Sequence, residues 1–231
     1  MSQCSFHTSH RFRAMRMLNS QSEDRHAWGY LQNALAVVSE LTMLRSEVSA
    51  MQAIIGMAIV LQGTPNPRPC SVLISVALKL AHSMKLHRRE QEPGLSAAEL
   101  EQRKRVFWIA YLLDKDVSLR TGQPPAQGDD DMDVDPPVET VVEPVGDTVV
   151  SFSDLRVGLA IIQGQIYKNL CSLKALRQSE TERFMAAKEL DTILDVWQRS
   201  VPIDFYCDRV CSALRASSLP TVIHAVITRS T

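Results

Sequence analysis

Chemistry in this 231-residue chain would have to come from its clustered acids, a pair of histidines or a pair of cysteines. Asp129, Asp130, Asp131, Asp133 and Asp135 crowd into one short stretch, a density that suits a hard cation. A calcium loop also needs a Gly at its sharp turn and a closing bidentate Glu at fixed offsets, and neither is present. The stretch therefore reads as a solvated acidic loop. Asp114 and Asp116 have the composition of a general acid–base pair, but residues i and i+2 of a helix point in different directions. Their expected roles are structural, Asp114 as the partner of a nearby Arg and Asp116 exposed. His82 and His87 lie five apart and would not share a helical face well, so His87 reads as a cationic cap at a helix end. Cys207 and Cys211 have the i,i+4 spacing that lets two thiolates share a metal. Only the distant His224 accompanies them, whereas structural zinc collects four ligands at regular spacing. His7 and His10 are weaker still. The five cysteines, Cys4, Cys70, Cys171, Cys207 and Cys211, are odd in number and scattered, which predicts free thiols and no disulfide framework. The chain lacks a Gly-x-Ser-x-Gly elbow, a phosphate-cradling Gly-Lys-Ser/Thr loop, Gly-x-Gly-x-x-Gly and His-Glu-x-x-His. No cofactor is expected in this chain, and an enzyme is not indicated.

The elements that carry these residues are helices almost throughout. Ser96 with Glu99 fits a capping box, and Glu99–Arg103 and Glu101–Arg105 are i,i+4 pairs with the acid on the N-terminal side. From Val106 to Leu113 the helix is apolar on every side, which predicts cover all round. It runs on to Gly122, a C-cap, with Pro124 and Pro125 barring continuation. Upstream, His26–Leu44 carries Leu31, Leu35, Val38 and Leu41 at helical spacing, and Val48–Leu61 carries Met51, Ile55, Ala58 and Ile59. Thr64–Pro69 is a turn-rich connector, and Leu73, Ala77, Leu80 and Met84 form the next stripe. Between Thr121 and Leu155 there is no Lys or Arg, which with nine acids and five prolines predicts an extended surface loop over 121–150. Ser151 caps a helix bearing Leu159, Ile162, Ile166 and Leu170. Ser179 with Glu182 caps another bearing Phe184, Leu190, Leu194 and Trp197, which ends at Val201 and Pro202. A weak stripe, Leu219 to Ile227, closes the chain. The predicted class is all-α, a multi-helix bundle or irregular solenoid of antiparallel helices with one long acidic Pro-rich loop. Residues 1–25 read as a mobile N-terminal segment and 26–231 as one helical domain.

At the stretch Arg103–Pro137 the chain resembles the fungal-specific transcription factor domain, the middle regulatory region of fungal zinc binuclear cluster regulators. The matching residues are Arg103 and Arg105, Phe107 and Trp108, Tyr111, Asp114, Ser118, the Gly122–Pro124 turn, and the acidic run from Asp129 to Pro136. A second match spans Leu61–Glu90, where that family ends a helix with Gly-Leu-His and this chain has Lys85, Leu86 and His87, so that Lys replaces the usual Gly. The resemblance covers roughly residues 27–210 and implies a helical regulatory domain in the nucleus. Such a domain restrains activity, senses a small-molecule effector or recruits other transcription regulators or coactivators. It would govern RNA polymerase II transcription of a metabolic or secondary-metabolite gene set. The Cys-x-x-Cys cluster of the family's zinc module is absent from this sequence, so the resemblance implies contact with DNA only through a separate module. Its signature residues, Trp108, Tyr111, Arg105 and Asp114 foremost, are expected to be structural, their loss unfolding the domain rather than removing a reaction.

Composition agrees with these expectations. With 45% hydrophobic and 22% charged residues the chain can bury a sizeable core. A net charge of −1 argues against a main task of gripping phosphate backbones. The longest apolar segment of the first half, Ala50–Leu61, falls short of the roughly 18 residues that span a bilayer, so no membrane partner is expected. No secretory signal is supported by the first twenty residues. From physics alone, without the resemblance, the same features describe a stand-alone helical protein-interaction scaffold, and a helix bundle that encloses a small-molecule pocket is a third option.

Overall fold

A computed structural model of the chain describes residues 26–43, 47–64, 66–89, 94–137, 143–145 and 148–201. The readings made for residues 1–25, Cys207, Cys211, His224 and Leu219–Ile227 lie outside the described residues. The backbone divides into two compact units, 1–45 and 46–231.

In the first unit, the single helix expected over His26–Leu44 is two helices, α1 over 26–36 and α2 over Val38–Met43, parted by a turn at Val37. The Val37 amide there bonds back to Ala34 O at 3.3 Å, one residue short of helical reach. The adjacent β-branched Val37 and Val38 lower helix propensity at that point.

The second unit is built on α3 (Val48–Gln62), α4 (Arg68–Ser83), α5 (Ala97–Thr121), α6 (Phe152–Ile166), α7 (Leu173–Leu176) and α8 (Glu180–Ser200). α3 packs on α4, and both pack on α5. α5 also packs on α6, which packs in turn on α8. α5 is therefore the shared wall between an α3–α4 side and an α6–α8 side. One core cluster joins Leu119 of α5 to Ile162 and Ile166 of α6, Leu170, and Ala187 and Leu190 of α8.

Three predicted starts hold. Ser96 and Ser179 form complete capping boxes with Glu99 and Glu182, and Ser151 accepts the Asp154 amide. α4 begins inside the predicted connector, at Arg68, because Pro69 sits in the first turn, where a missing N–H costs nothing. α6 runs directly into a five-residue π-helical segment, Tyr167–Cys171, ended by Ser172, whose side chain then caps α7.

The five clustered acids, Asp129, Asp130, Asp131, Asp133 and Asp135, are exposed, as expected of a solvated loop, but the acidic Pro-rich segment is not one extended loop over 121–150. It begins at Gly122, since Thr121 is still helical; its acids Asp129–Asp131 form a 3₁₀ turn; and Glu143–Val145 (β1) pairs antiparallel with Thr148–Val150 (β2). The β-branched Val145, Thr148, Val149 and Val150 favour that short hairpin. Gln127 is fully buried and Val134 nearly so, which places the first half of the segment against the helices. Among the described residues the remaining regular structure is helical, and no helix is long and apolar enough to cross a membrane.

Candidate functional site: the loop-docking face of α5 and the adjoining cavity

Trp108, Tyr111 and Lys115 stand at i, i+3 and i+7 on α5, one helical face, and that face receives the acidic loop. The Trp108 indole Nε1 donates to Asp135 O at 3.0 Å, and the Tyr111 hydroxyl donates to Asp129 Oδ1 at 2.8 Å. Lys115 Nζ donates to Gln127 O at 2.7 Å and pairs with Asp129 Oδ1 at 2.6 Å, its charge 4.8 Å from the centre of the Tyr111 ring. Asp114 accepts the backbone amides of Ala126 at 3.0 Å and Gln127 at 3.1 Å. A charged side chain on a buried helix face thus satisfies loop amides that no strand or helix pairs, which resolves the penalty of burying them. From α4, the His82 Nε2 donates to Gln127 Oε1 at 2.5 Å. Beyond the end of α4, Arg89 binds Asp133 through its amide at 2.7 Å and Asp135 through its guanidinium at 2.6 Å.

The electrostatics follow from burial. The Tyr111 phenol is pushed far above its ordinary range, first by desolvation and then by its bond to the Asp129 carboxylate. Burial also raises the Asp114 carboxyl, against the opposing pull of the Ala126 and Gln127 amides. Cys70 and Cys171 are free thiols raised by burial, which removes thiolate character at neutral pH.

Several expectations need correction. The partner of Asp114 is not an Arg but two loop amides, because the chain reverses after Gly122 (φ 67°) and brings Ala126 back over α5. Asp116 is half-buried, accepting from Gln62 Nε2 at 3.0 Å and pairing with Arg120 at 3.5 Å. The Val106–Leu113 segment is not covered all round, since Ile109 is 40% exposed while Phe107 is fully buried. His82 and His87 do meet, with ring centres 4.9 Å apart, because the helix ends between them. His87 is not a cationic cap: burial and the neighbouring His82 and Arg88 lower its pKa, and its Nε2 accepts from Arg88 Nε at 3.3 Å.

The turn between those histidines is a Schellman motif. The Leu86 amide bonds to Ala81 O at 2.9 Å and the Lys85 amide to His82 O at 3.1 Å, with Leu86 buried. Lys85 sits there at φ 56°, the left-handed conformation that Gly adopts without strain. The cap is therefore kept despite the substitution of Lys for Gly.

Of the signature residues, Phe107, Trp108, Tyr111, Asp114 and Ser118 are buried, Arg103 is half-buried and Gly122 and Pro124 are exposed. Arg105 is exposed and pairs with Glu101 at 3.1 Å. Lys115 and Gln127 complete the docking face, and sequence reading passed over both. The i,i+4 spacing of Tyr111 and Lys115 was the available signal for the first; Gln127, a lone amide among loop residues, carried none.

On the other side of α5 an open cavity of about 480 Å³ lies between α3, α5, α6 and α8. Ile59, Leu112, Leu155, Leu159 and Trp197 make it mainly apolar. Its polar residues are Gln62, Asp116 and Arg120, which bond to one another, Gln163, and the exposed Arg156. Its size and its few convergent polar groups match those of small-molecule sites. Among the described residues no three His, Cys, Asp or Glu side chains are grouped to hold a metal.

The model of the fungal specific transcription factor domain matches residues 7–199. The chain is 45% identical over 226 residues to a protein of Aspergillus oryzae named ABC-transporter-regulating transcription factor, covering 95% of this chain and 25% of that protein. A protein of the same name in Aspergillus fumigatus is 44% identical over the same coverage. The fusaridione A cluster transcription factor of Fusarium heterosporum is 39% identical over 170 residues, 71% of this chain and 32% of that protein. The chain thus spans about a quarter of the length of the first two relatives. No solved structure matches it.

Proposed function

We infer that this chain, which belongs to the family of the fungal specific transcription factor domain, is the effector-responsive regulatory region of a fungal transcription factor. The single observation that carries this reading is the 45% identity over 95% of the chain to a relative named for regulating ABC transporters. A second relative named for a secondary-metabolite cluster makes transporter or secondary-metabolite genes, transcribed by RNA polymerase II, the class of target. DNA is read by a separate zinc-cluster module, in keeping with a net charge of −1 and with the want of any Cys-x-x-Cys cluster in these residues. The chain holds no cofactor of its own. It works in the nucleus with other regulators or coactivators. In mechanical terms α5 links two sides: a docked loop on one face, whose backbone is tied to Trp108, Asp114 and Lys115 and whose Asp129 carboxylate is tied to Tyr111 and Lys115, and the cavity on the other. A ligand that shifts α5 by a fraction of its packing would alter how the loop is presented to a partner.

Transcript profiling of a strain lacking this chain, with a tagged copy located by microscopy, tests the reading. A nuclear signal with a coherent set of changed transcripts supports it. A cytosolic signal with an unchanged profile overturns it in favour of an interaction scaffold outside transcription.

A further inference from the structure

We propose that the cavity between α3, α5, α6 and α8 takes one uncharged, mostly apolar small molecule bearing a single carbonyl or hydroxyl group, and that the Gln163 side-chain amide is its polar anchor. The proposal rests on the effector-responsive reading and specifies the effector's chemistry. Gln163 lies on α6, is 5% exposed and lines the cavity, and its side-chain amide has no hydrogen-bond partner among the described residues. The fully enclosed unbonded side-chain atoms among the described residues are His87 Nδ1 and Arg183 Nε, so the Gln163 amide is one that keeps access to the cavity it lines, where a ligand's polar group can complete it.

The charges on the same wall argue for a neutral occupant. Asp116 and Arg120 lie 3.5 Å apart and neutralise each other. Gln62 ties both down, donating to Asp116 at 3.0 Å and accepting from Arg120 through its carbonyl at 3.4 Å. A charged ligand would have to leave its hydration shell for a wall whose half-buried ions, Asp116 and Arg120, are already paired. The other lining charge, Arg156, is exposed to solvent and lies 5.9 Å over the Phe152 ring. The remaining surface is aliphatic and aromatic, with Trp197 held in place by donation of its Nε1 to Leu155 O at 2.9 Å. A volume of about 480 Å³ falls in the range for drug-sized ligands.

The test uses the whole 231-residue chain and prodan, an uncharged naphthalene carrying one ketone. Expected are saturable one-to-one binding with a blue-shifted dye emission and energy transfer from tryptophan. Gln163→Leu should weaken binding by about tenfold, the loss of one hydrogen bond. Leu155→Trp, which fills the half-buried wall and keeps the backbone carbonyl, should abolish it. The anionic 1-anilinonaphthalene-8-sulfonate should bind at least about tenfold more weakly than prodan. Helicity and unfolding midpoint of each variant are measured alongside, so that the folded variant of the two decides. Binding that neither folded variant changes, equal affinity for the sulfonate, or no saturable binding of prodan overturns the proposal. A chain that binds prodan as stated but leaves transcripts unchanged on deletion overturns the regulatory reading and leaves the site standing.

Discussion

The Tyr111 hydroxyl on α5 meets Asp129 of the acidic loop at 2.8 Å, on the same carboxylate oxygen that pairs with buried Lys115. This contact ties an aromatic core helix to a segment whose composition alone reads as solvated. Tyr111→Phe should cost about 1 kcal/mol, the value of one partly buried hydrogen bond. Asp129→Ala should cost about 1–3 kcal/mol, because it strands a buried ammonium although Asp129 itself is 38% exposed and partly screened. The two losses should fall short of additive in a double-mutant cycle followed by urea unfolding; strict additivity would show that the contact carries no energy.

Gly164 on α6 faces the same carboxylate. A Cβ there would lie 2.9 Å from Asp129 Oδ2 and 3.4 Å from Lys115 Nζ. Gly164→Ala should therefore lower stability by about 1–2 kcal/mol, overriding a gain of about 1 kcal/mol in helix propensity. In an Asp129→Ala background the same substitution should become neutral or stabilising. A cost that persists there would locate the obstacle elsewhere.

Asp114 titrates with an unusual sign. Its carboxyl is raised by burial above the ordinary 3.8, so the folded state binds the proton more tightly than the unfolded state. Its contribution to stability is then fully present below 3.8 and is lost as pH rises through the raised folded value. The stability of the wild-type chain relative to Asp114→Asn should accordingly decline as pH rises across that window, measured by urea midpoints at matched ionic strength. A difference that grows with pH would mean that the Ala126 and Gln127 amides outweigh desolvation.

Lys85→Gly should stabilise the chain by about 0.5–1 kcal/mol, since a non-Gly residue in the left-handed region is strained by about 1–2 kcal/mol and Gly returns part of that as unfolded-state entropy. Thermal unfolding reads the result. A destabilised variant would show that the Lys85 side chain contributes more than its backbone strain removes.

Phe107 and Ile109 sit two apart in the apolar segment of α5, yet one is fully buried and the other 40% exposed. Phe107→Ala should cost about 3–5 kcal/mol and Ile109→Ala under about 1.5 kcal/mol. Comparable losses at the two positions would mean that Ile109 is covered in solution.

Local signals in the sequence determined where α5, α6 and α8 begin and which stripes they carry. The capping boxes at Ser96 and Ser179, the Gly122 stop and the apolar stripes act over three to eight residues, a range in which hydrogen bonding and periodicity are self-contained. The signature from Phe107 to Ser118 was legible as one helix for the same reason. Tertiary structure alone decided that Asp114 takes loop amides and not an Arg, that His82 meets His87 across a Schellman turn, and that Gln163 is left unbonded beside a cavity. The first turns on which distant backbone groups arrive at a side chain, the second on how the chain leaves the end of α4, and the third on which elements surround the side chain. For Asp114 and Gln163 the outcome is set by how α5 packs against α4 on one side and α6 on the other, and residue spacing along the chain does not encode it.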